Sequence, residues 1–208
     1  MSNNRFIEET HSYFVDDRPV PSTTQVICET LSPIWWGSSD FSLQKGRAVH
    51  HAAALTAKAQ RFDYDPRIEG QIAAVRKFLK EIVVDIHEVE RIMYSESLQF
   101  AGTCDLIATS RIAAAKGGRV IFDYKANLSE LVSVQLGAYS LLDGGTINHG
   151  VGVQLREDGR YQLSPVYDLR KARNEFLALL TTYKIKARMN LLTRTESQNE
   201  NAKQEDAQ

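Results

Sequence analysis

The chain has 208 residues, of which 43% are hydrophobic, and its formal net charge is −1. This length and apolar content suit one compact domain with a sizeable core, whereas a protein that only coats nucleic acid is usually strongly basic. Residues 1–9 lack the apolar core of a signal peptide, and no apolar run approaches the roughly 20 residues of a membrane-spanning helix, so we expect a cytoplasmic protein without a membrane partner.

The first part of the chain predicts a hairpin followed by helices. An acidic pair before Pro19 indicates a turn between strands over residues 11–15 and 19–21. Hydroxyl side chains at 22–24 are suited to cap a helix, because they accept hydrogen bonds from free backbone N–H groups. Helix propensity and apolar residues at helical spacing predict three helices, over residues 25–31, 44–60 and 67–85.

The second part of the chain changes to the alternating pattern that is typical of strands. Strands are predicted over residues 89–95, 98–109, 119–126, 150–156 and 160–166. The last two strands form a hairpin across a Glu-Asp-Gly turn at 157–159. Helices are predicted over residues 131–142 and 168–189, and Asp-Gly-Gly at 143–145 ends the first of them.

These elements predict a single domain over residues 1–189, of the α/β or α+β class, with a mixed central β-sheet flanked by helices. Its parts are an N-terminal hairpin and helical part (10–85), a sheet core (86–166) and a C-terminal helix (168–189). Residues 190–208 are polar and lack a pattern, so we expect a disordered tail.

Asp123 and Lys125 form the centre of a candidate site. Side chains alternate along a strand, so both residues share one face with Ile121, while Val120, Phe122 and Tyr124 share the other. On the preceding strand, Asp105 is expected on the same face as Thr103 and Ile107, where it can meet Asp123 if the strands pair. Taken alone, an Asp-x-Lys triplet is more often an ion pair on a surface strand.

Two adjacent carboxylates in an apolar setting predict a divalent cation, because each carboxylate alone repels the other and is costly to desolvate. Mg²⁺ is commonly held by one or two carboxylates plus substrate phosphate. Such a metal polarises a phosphate and lowers the pKa of a bound water, and Lys125 would stabilise charge on the phosphate or position the water. Gly102 would permit the close approach of a backbone or ligand.

Four motifs in order give the chain a resemblance to a known superfamily. Gly102-Thr-Cys-Asp105, followed by Asp123-Tyr-Lys125, resembles the signature of the PD-(D/E)XK nucleases, although many members have Glu where this chain has Asp123. Two further motifs resemble the RecB-like branch, namely Gln135-x-x-x-Tyr139 and Gly46-x-x-x-His50. Residues 20–24 (Val-Pro-Ser-Thr-Thr) resemble the beginning of phage-encoded members.

The resemblance implies a restriction-endonuclease-like core and a Mg²⁺- or Mn²⁺-dependent DNA exonuclease of phage or bacterial recombination and repair, located in the host cytoplasm if phage-encoded. A single-strand annealing or recombination protein is an implied partner besides DNA. The implied metal ligands are His50, Asp105 and Asp123, and the implied catalytic residues are Asp105, Asp123, Lys125, Gln135 and Tyr139.

Alternatives stay open for the function and for individual residues. The chain could be an endonuclease for flaps or single strands, a DNA-binding or recombination-partner module with a nuclease fold, or a structural protein. His50 could be an exposed helix residue, and Gln135 and Tyr139 ordinary surface and core residues. Glu90 and Glu96 could add a ligand, but solvated acids are the favoured interpretation.

Cysteines and cations complete the prediction. Cys28 and Cys104 are too few for a four-cysteine zinc or iron–sulfur site within one chain, so no iron–sulfur cluster is expected. DNA contact is predicted for four residues near the His50 helix: Lys45, Arg47, Trp35 and Trp36. The cations would attract phosphates at a helix N-terminus, and the tryptophans could stack on unpaired bases. Cations on the helix over 168–189 could also follow phosphates, or form a solvated face.

Overall fold

The computed structural model describes residues 3–31, 40–115 and 117–192. These residues form a mixed α/β structure, in which helices flank a six-stranded sheet, so the predicted fold class is confirmed. Within them, no helix combines the length and apolar character needed to span a membrane. Trp35, Trp36 and nearly all of the predicted tail (193–208) lie outside the described residues.

The chain begins with a small three-stranded antiparallel sheet, consisting of β1 (Asn4–Ile7), β2 (Ser12–Val15) and β3 (Arg18–Val20). Asp16 and Asp17 form the turn between β2 and β3 with φ angles of 49° and 59°. Short polar side chains tolerate this left-handed region, which is why an acidic pair can stand there. The predicted hairpin is therefore confirmed, whereas β1 was not predicted.

Five α-helices are formed by the described residues: α1 (Thr23–Leu31), α2 (Asp40–Ala57), α3 (Glu69–Ile82), α4 (Leu131–Leu142) and α5 (Leu169–Arg188). Ser22 caps α1 as predicted, because its Oγ accepts the N–H of Gln25 at 3.0 Å. The predicted helix over 67–85 is too long at both ends. Pro66–Ile68 is a short 3-10 helix and Val83 already belongs to a strand, because its ladder partner Ser110 provides sheet pairing that overrides helix propensity.

The main sheet contains β4 (Val83–Ser95), β5 (Phe100–Ser110), β6 (Arg119–Lys125), β7 (His149–Leu155), β8 (Tyr161–Leu163) and β9 (Tyr167–Asp168). Its order is β4-β5-β6-β7-β8, and β9 also pairs with β7. β6 and β7 are parallel because α4 connects them, and every other pair is antiparallel. The predicted strand 89–95 begins earlier, at Val83, and the predicted strand 160–166 is shorter than expected.

The two faces of the sheet carry separate apolar cores. Phe122 of β6 packs with α2 and α3 on one face, whereas Ile121 packs with α4 on the other. On that second face, α1 and α5 pack with α4 in a further apolar cluster. The alternation predicted for β6 is therefore confirmed, and it places β6 at the centre of a layered structure.

Candidate metal centre

At one position along β4 and β5, the side chains of both strands change the face of the sheet to which they point. Met93 and Cys104 pack in the core beside α4, whereas Val89 and Leu106 pack in the core beside α2 and α3. In regular strands, residues two or four apart point to the same side, so both strands are irregular between these residues. The predicted sharing of a face by Asp105 and Ile107 is therefore wrong, since Ile107 packs beside α4 while Asp105 turns towards α2.

Asp105 lies where the ladder between β5 and β6 ends. The last pair of that ladder on this side is Leu106 opposite Phe122. Beyond it, Asp105 Oδ2 accepts the backbone N–H of Tyr124 at 2.6 Å, so a side-chain carboxylate replaces a strand carbonyl as the acceptor. Asp105 is 6% exposed, and this contact fixes its carboxylate between the two strands.

His50 of α2 joins this carboxylate from the helical layer. Its Nδ1 lies 2.9 Å from Asp105 Oδ1, and its ring stands edge-on to Tyr124 with centroids 6.3 Å apart. Burial disfavours the imidazolium of His50, but the adjacent Asp105 outweighs it and raises the pKa of His50 to about 8. In turn, burial raises the pKa of Asp105, but His50 outweighs this effect and lowers it. The structure thus brings together two of the predicted ligands.

Glu90 is the residue that the sequence interpretation did not favour. It lies between the register pairs Val89–Leu106 and Arg91–Cys104, and therefore opposite Asp105, with a left-handed φ of 53°. One ligand atom from each of His50, Glu90 and Asp105 can be chosen so that all lie within 4.8 Å of one another. Burial and the charge of Asp105 raise the pKa of Glu90 to about 7. The sequence could have indicated this proximity, because counting back from the turn of the β4–β5 hairpin places residue 90 opposite residue 105.

Asp123 and Lys125 form an ion pair beside this group. Lys125 Nζ lies 2.6 Å from Asp123 Oδ2, and Asp123 is 1% exposed. Burial raises the pKa of Asp123 and Asp105 adds to that effect, against the opposing influence of Lys125. Burial opposes the charge of Lys125, but Asp123 outweighs it and raises the pKa of that ammonium. Asp123 is not a member of the His50–Glu90–Asp105 group, so its role as a ligand stays a prediction.

Gln135 and Tyr139 share one face of α4, as their spacing predicts. Gln135 Nε2 donates to Tyr139 Oη at 2.7 Å. Burial, assisted by the charges of Asp123 and Asp105, raises the pKa of Tyr139 well above its ordinary value. Tyr139 is therefore a neutral phenol that can donate a hydrogen bond near the acidic residues.

Gly102 lies where side chains of α1 and α4 approach β5 closely. A Cβ at this position would lie 2.7 Å from Thr23 Oγ1 and 3.1 Å from Tyr139 Cε1. The glycine therefore lets α1 and α4 pack against β5, and its expected part in the approach of a ligand stays a prediction.

The residues predicted to contact DNA have mixed surroundings. Lys45 forms an ion pair with Glu157, whereas Arg47 is exposed. Four cations of α5 have partners within the protein. Arg170 pairs with Asp168 and Lys171 with Glu175. Arg173 donates to Gly145 and Asn148, and Lys186 donates to the backbone oxygen of Glu29. Arg170 and Lys171 remain largely exposed, so a contact of α5 with DNA stays a prediction.

The His50–Glu90–Asp105 group fits a divalent cation. It offers one imidazole nitrogen and two carboxylates, a set suited to Mn²⁺ and, through its oxygens, to Mg²⁺. Burial raises the pKa of Glu90 and the charge of Asp105 adds to this effect, and a bound cation would offset the cost of holding the two carboxylates ionised.

Comparison with known proteins adds no assignment to a family. The chain matches no family model, and no curated protein sequence matches it.

Proposed function

We propose that this chain is a divalent-metal-dependent deoxyribonuclease of the PD-(D/E)XK type, acting as an exonuclease in phage or bacterial DNA recombination or repair in the cytoplasm. One observation carries the proposal. The carboxylate of Asp105 lies with His50 and Glu90 in one group of possible metal ligands, and its charge also acts on the buried Asp123 of the Asp123–Lys125 pair.

His50, Glu90 and Asp105 would hold the metal. Asp105 also lies close enough to Asp123 for its charge to add to the effect of burial, which raises the pKa of Asp123. When bound, Mg²⁺ or Mn²⁺ polarises the scissile phosphate and makes a bound water a stronger nucleophile near neutral pH. The protein's part is to keep these ligands in place. The Tyr124 N–H and the irregular strand at Glu90 do so before any metal binds.

Lys125 supplies the positive charge for the phosphate. Asp123 keeps its ammonium protonated and directs it, while 24% of the side chain remains exposed to a substrate. A charged donor that is positioned in advance stabilises the charge that develops on phosphate oxygens. Gln135 and Tyr139 provide a neutral hydrogen-bonding pair nearby, suited to orienting the DNA strand.

A pure DNA-binding module is the main competing function. Against it stand three carboxylates near one another, those of Glu90, Asp105 and Asp123, which would repel a phosphate unless a cation were bound. Binding alone also gives no reason to bury Asp123 beside Lys125. An endonuclease for flaps or single strands would use the same chemistry, so only substrate tests separate it from an exonuclease.

The test is digestion of end-labelled linear DNA and closed circular DNA with Mg²⁺ or Mn²⁺. We expect the wild type to degrade linear DNA and spare circles, and Asp123→Ala and Lys125→Ala to be inactive. Asp85→Ala is the control, because Asp85 lies on β4 with 71% of its side chain exposed. If closed circles were also cleaved, the protein would be an endonuclease instead of an exonuclease, because a circle has no end. A wild type that binds DNA but is inert with both metals would refute the nuclease.

A further inference from the structure

A pocket opens beside the proposed catalytic lysine. It lies between α1, the segment that follows β6 and the beginning of α4, and its volume is about 130 Å³. Its apolar side chains include Ile27, Leu31 and Val132, and polar side chains include Asn127, Ser129 and Gln135.

The pocket adjoins the Asp123–Lys125 ion pair beside the candidate metal centre. Lys125 and Gln135 line it, and the same two residues contact Asp123 and Tyr139 respectively. A group attached to a phosphate at Lys125 would therefore enter this pocket directly. Among the described residues that line it, Lys125 is the only charged one, and its charge is paired with Asp123, so the rest of the pocket favours a neutral occupant.

Its size and lining suit one flat ring. An engineered apolar cavity of about 150 Å³ holds a benzene molecule, so about 130 Å³ is space for a single ring of similar size. Apolar walls favour the faces of a nucleobase, whereas Asn127, Ser129 and Gln135 offer hydrogen bonds to its polar edge. A base pair would not fit in this space.

We propose that this pocket binds one unpaired nucleobase of the DNA substrate, belonging to a nucleotide next to the scissile phosphate. This inference rests on the proposed nuclease function and adds its specificity: the enzyme cleaves next to a base that is out of the duplex. Single-stranded DNA, or an end whose last pair has opened, is then the preferred substrate, because opening a pair costs energy before cleavage.

The test compares oligonucleotides that contain a stable abasic residue on one side or the other of the first cleaved bond. In the wild type, we expect removal of the base at one of these positions to slow the first cleavage about 10-fold, the lower range for losing one group from an apolar pocket. Ser129→Phe, which places a ring in the pocket, should slow cleavage of intact DNA by a similar factor. It should add little further loss on the abasic strand, because both changes remove the same contact.

Ser133→Phe is the matched control, since Ser133 lies one turn along α4, is partly exposed and does not line the pocket. Thr24→Phe, at the exposed rim on α1, is a second variant in case Ser129→Phe fails to fold. The proposal is overturned if the wild type cleaves both abasic strands at the normal rate, or if the pocket variants behave like Ser133→Phe. A wild type that cleaves no DNA with either metal would overturn the nuclease and the pocket assignment together.

Discussion

Glu90 lies opposite Asp105 at the position where β4 and β5 exchange the sheet faces to which their side chains point. The left-handed φ of 53° at Glu90 marks this irregularity. Residues other than glycine adopt such angles at a cost of about 1 kcal/mol or more, and such strain is concentrated at functional sites. At this position the two acids lie close together and close to His50 of α2.

Replacement of Glu90 should weaken metal binding. We expect Glu90→Gln to lower the affinity for Mn²⁺ at least about 10-fold, because it removes one of the three ligands. Isothermal titration at neutral pH measures this effect. Glu88→Gln is the matched control, since Glu88 lies two residues away and pairs with Arg91 instead. Equal affinities in the two variants would exclude Glu90 from the centre.

The pH dependence of metal binding follows from two raised pKa values. Glu90 keeps a proton up to a pKa of about 7 and His50 up to about 8, and a metal must displace both protons. We therefore expect the affinity for Mn²⁺ to increase as the pH rises from about 6 to about 8.5, with proton release on binding. His51→Asn, beside the group but not part of it, should leave this profile unchanged. A profile that is flat in the wild type would contradict the assignment.

Stability of the metal-free protein should fall over the same range. The folded-state pKa of Glu90 is raised from 4.5 and that of His50 from 6.5, so the folded state binds more protons than the unfolded state between each pair of values. The contribution of these two groups to the free energy of unfolding is therefore present at low pH and is lost as the pH rises through about 7 and about 8. Thermal unfolding with a chelator should show this decrease, and Glu90→Gln should reduce it. A chelator-treated protein whose stability does not fall over this range would contradict the two raised pKa values.

Asp105 has a structural role that can be separated from metal binding. Asp105→Ala leaves the buried N–H of Tyr124 without its acceptor, which should cost about 1–3 kcal/mol in urea unfolding of the metal-free protein. Asp105→Asn keeps an oxygen acceptor and removes the repulsion with Glu90, so it should be the more stable variant. We expect both variants to bind Mn²⁺ poorly. If the two variants were equally stable, the hydrogen bond to Tyr124 would not matter to folding.

Two glycines should respond in opposite ways to alanine. Gly102→Ala would place a methyl group 2.7 Å from Thr23 Oγ1 and should destabilise the protein by about 1–3 kcal/mol. Gly46 in α2 has nothing within 4 Å of the corresponding position, so Gly46→Ala should stabilise it by about 0.5–1 kcal/mol. Thermal unfolding of both variants checks this. A stable Gly102→Ala would show that α1 and α4 can move away from β5.

Lys125 should matter for catalysis more than for metal binding. We expect Lys125→Met to lower kcat at least about 100-fold, the loss typical of one electrostatic donor, while the affinity for Mn²⁺ changes little. Lys125→Arg, which keeps the charge, should recover part of the rate. If the Met variant lost rate only because metal binding was lost, raising the Mn²⁺ concentration would restore it.

The sequence by itself determined the elements whose signal is local. Strict alternation predicted β6 with Asp123 and Lys125 on one face, and helical spacing predicted α4 with Gln135 and Tyr139 together. Both patterns depend only on the period of the backbone, which tertiary contacts did not alter there. The helix that carries His50 was also predicted, because the residues around it have a high helix propensity.

Only the tertiary structure decided what depends on contacts between distant segments. The approach of His50 to Glu90 and Asp105, the packing that requires Gly102, and the pocket beside Lys125 each join residues from different elements. The end of the helix at Ile82 was also decided in this way, because sheet pairing with β5 competed with a continuing helical pattern. A sequence records the period of each segment, but the register and irregularities between segments arise when the layers pack against one another.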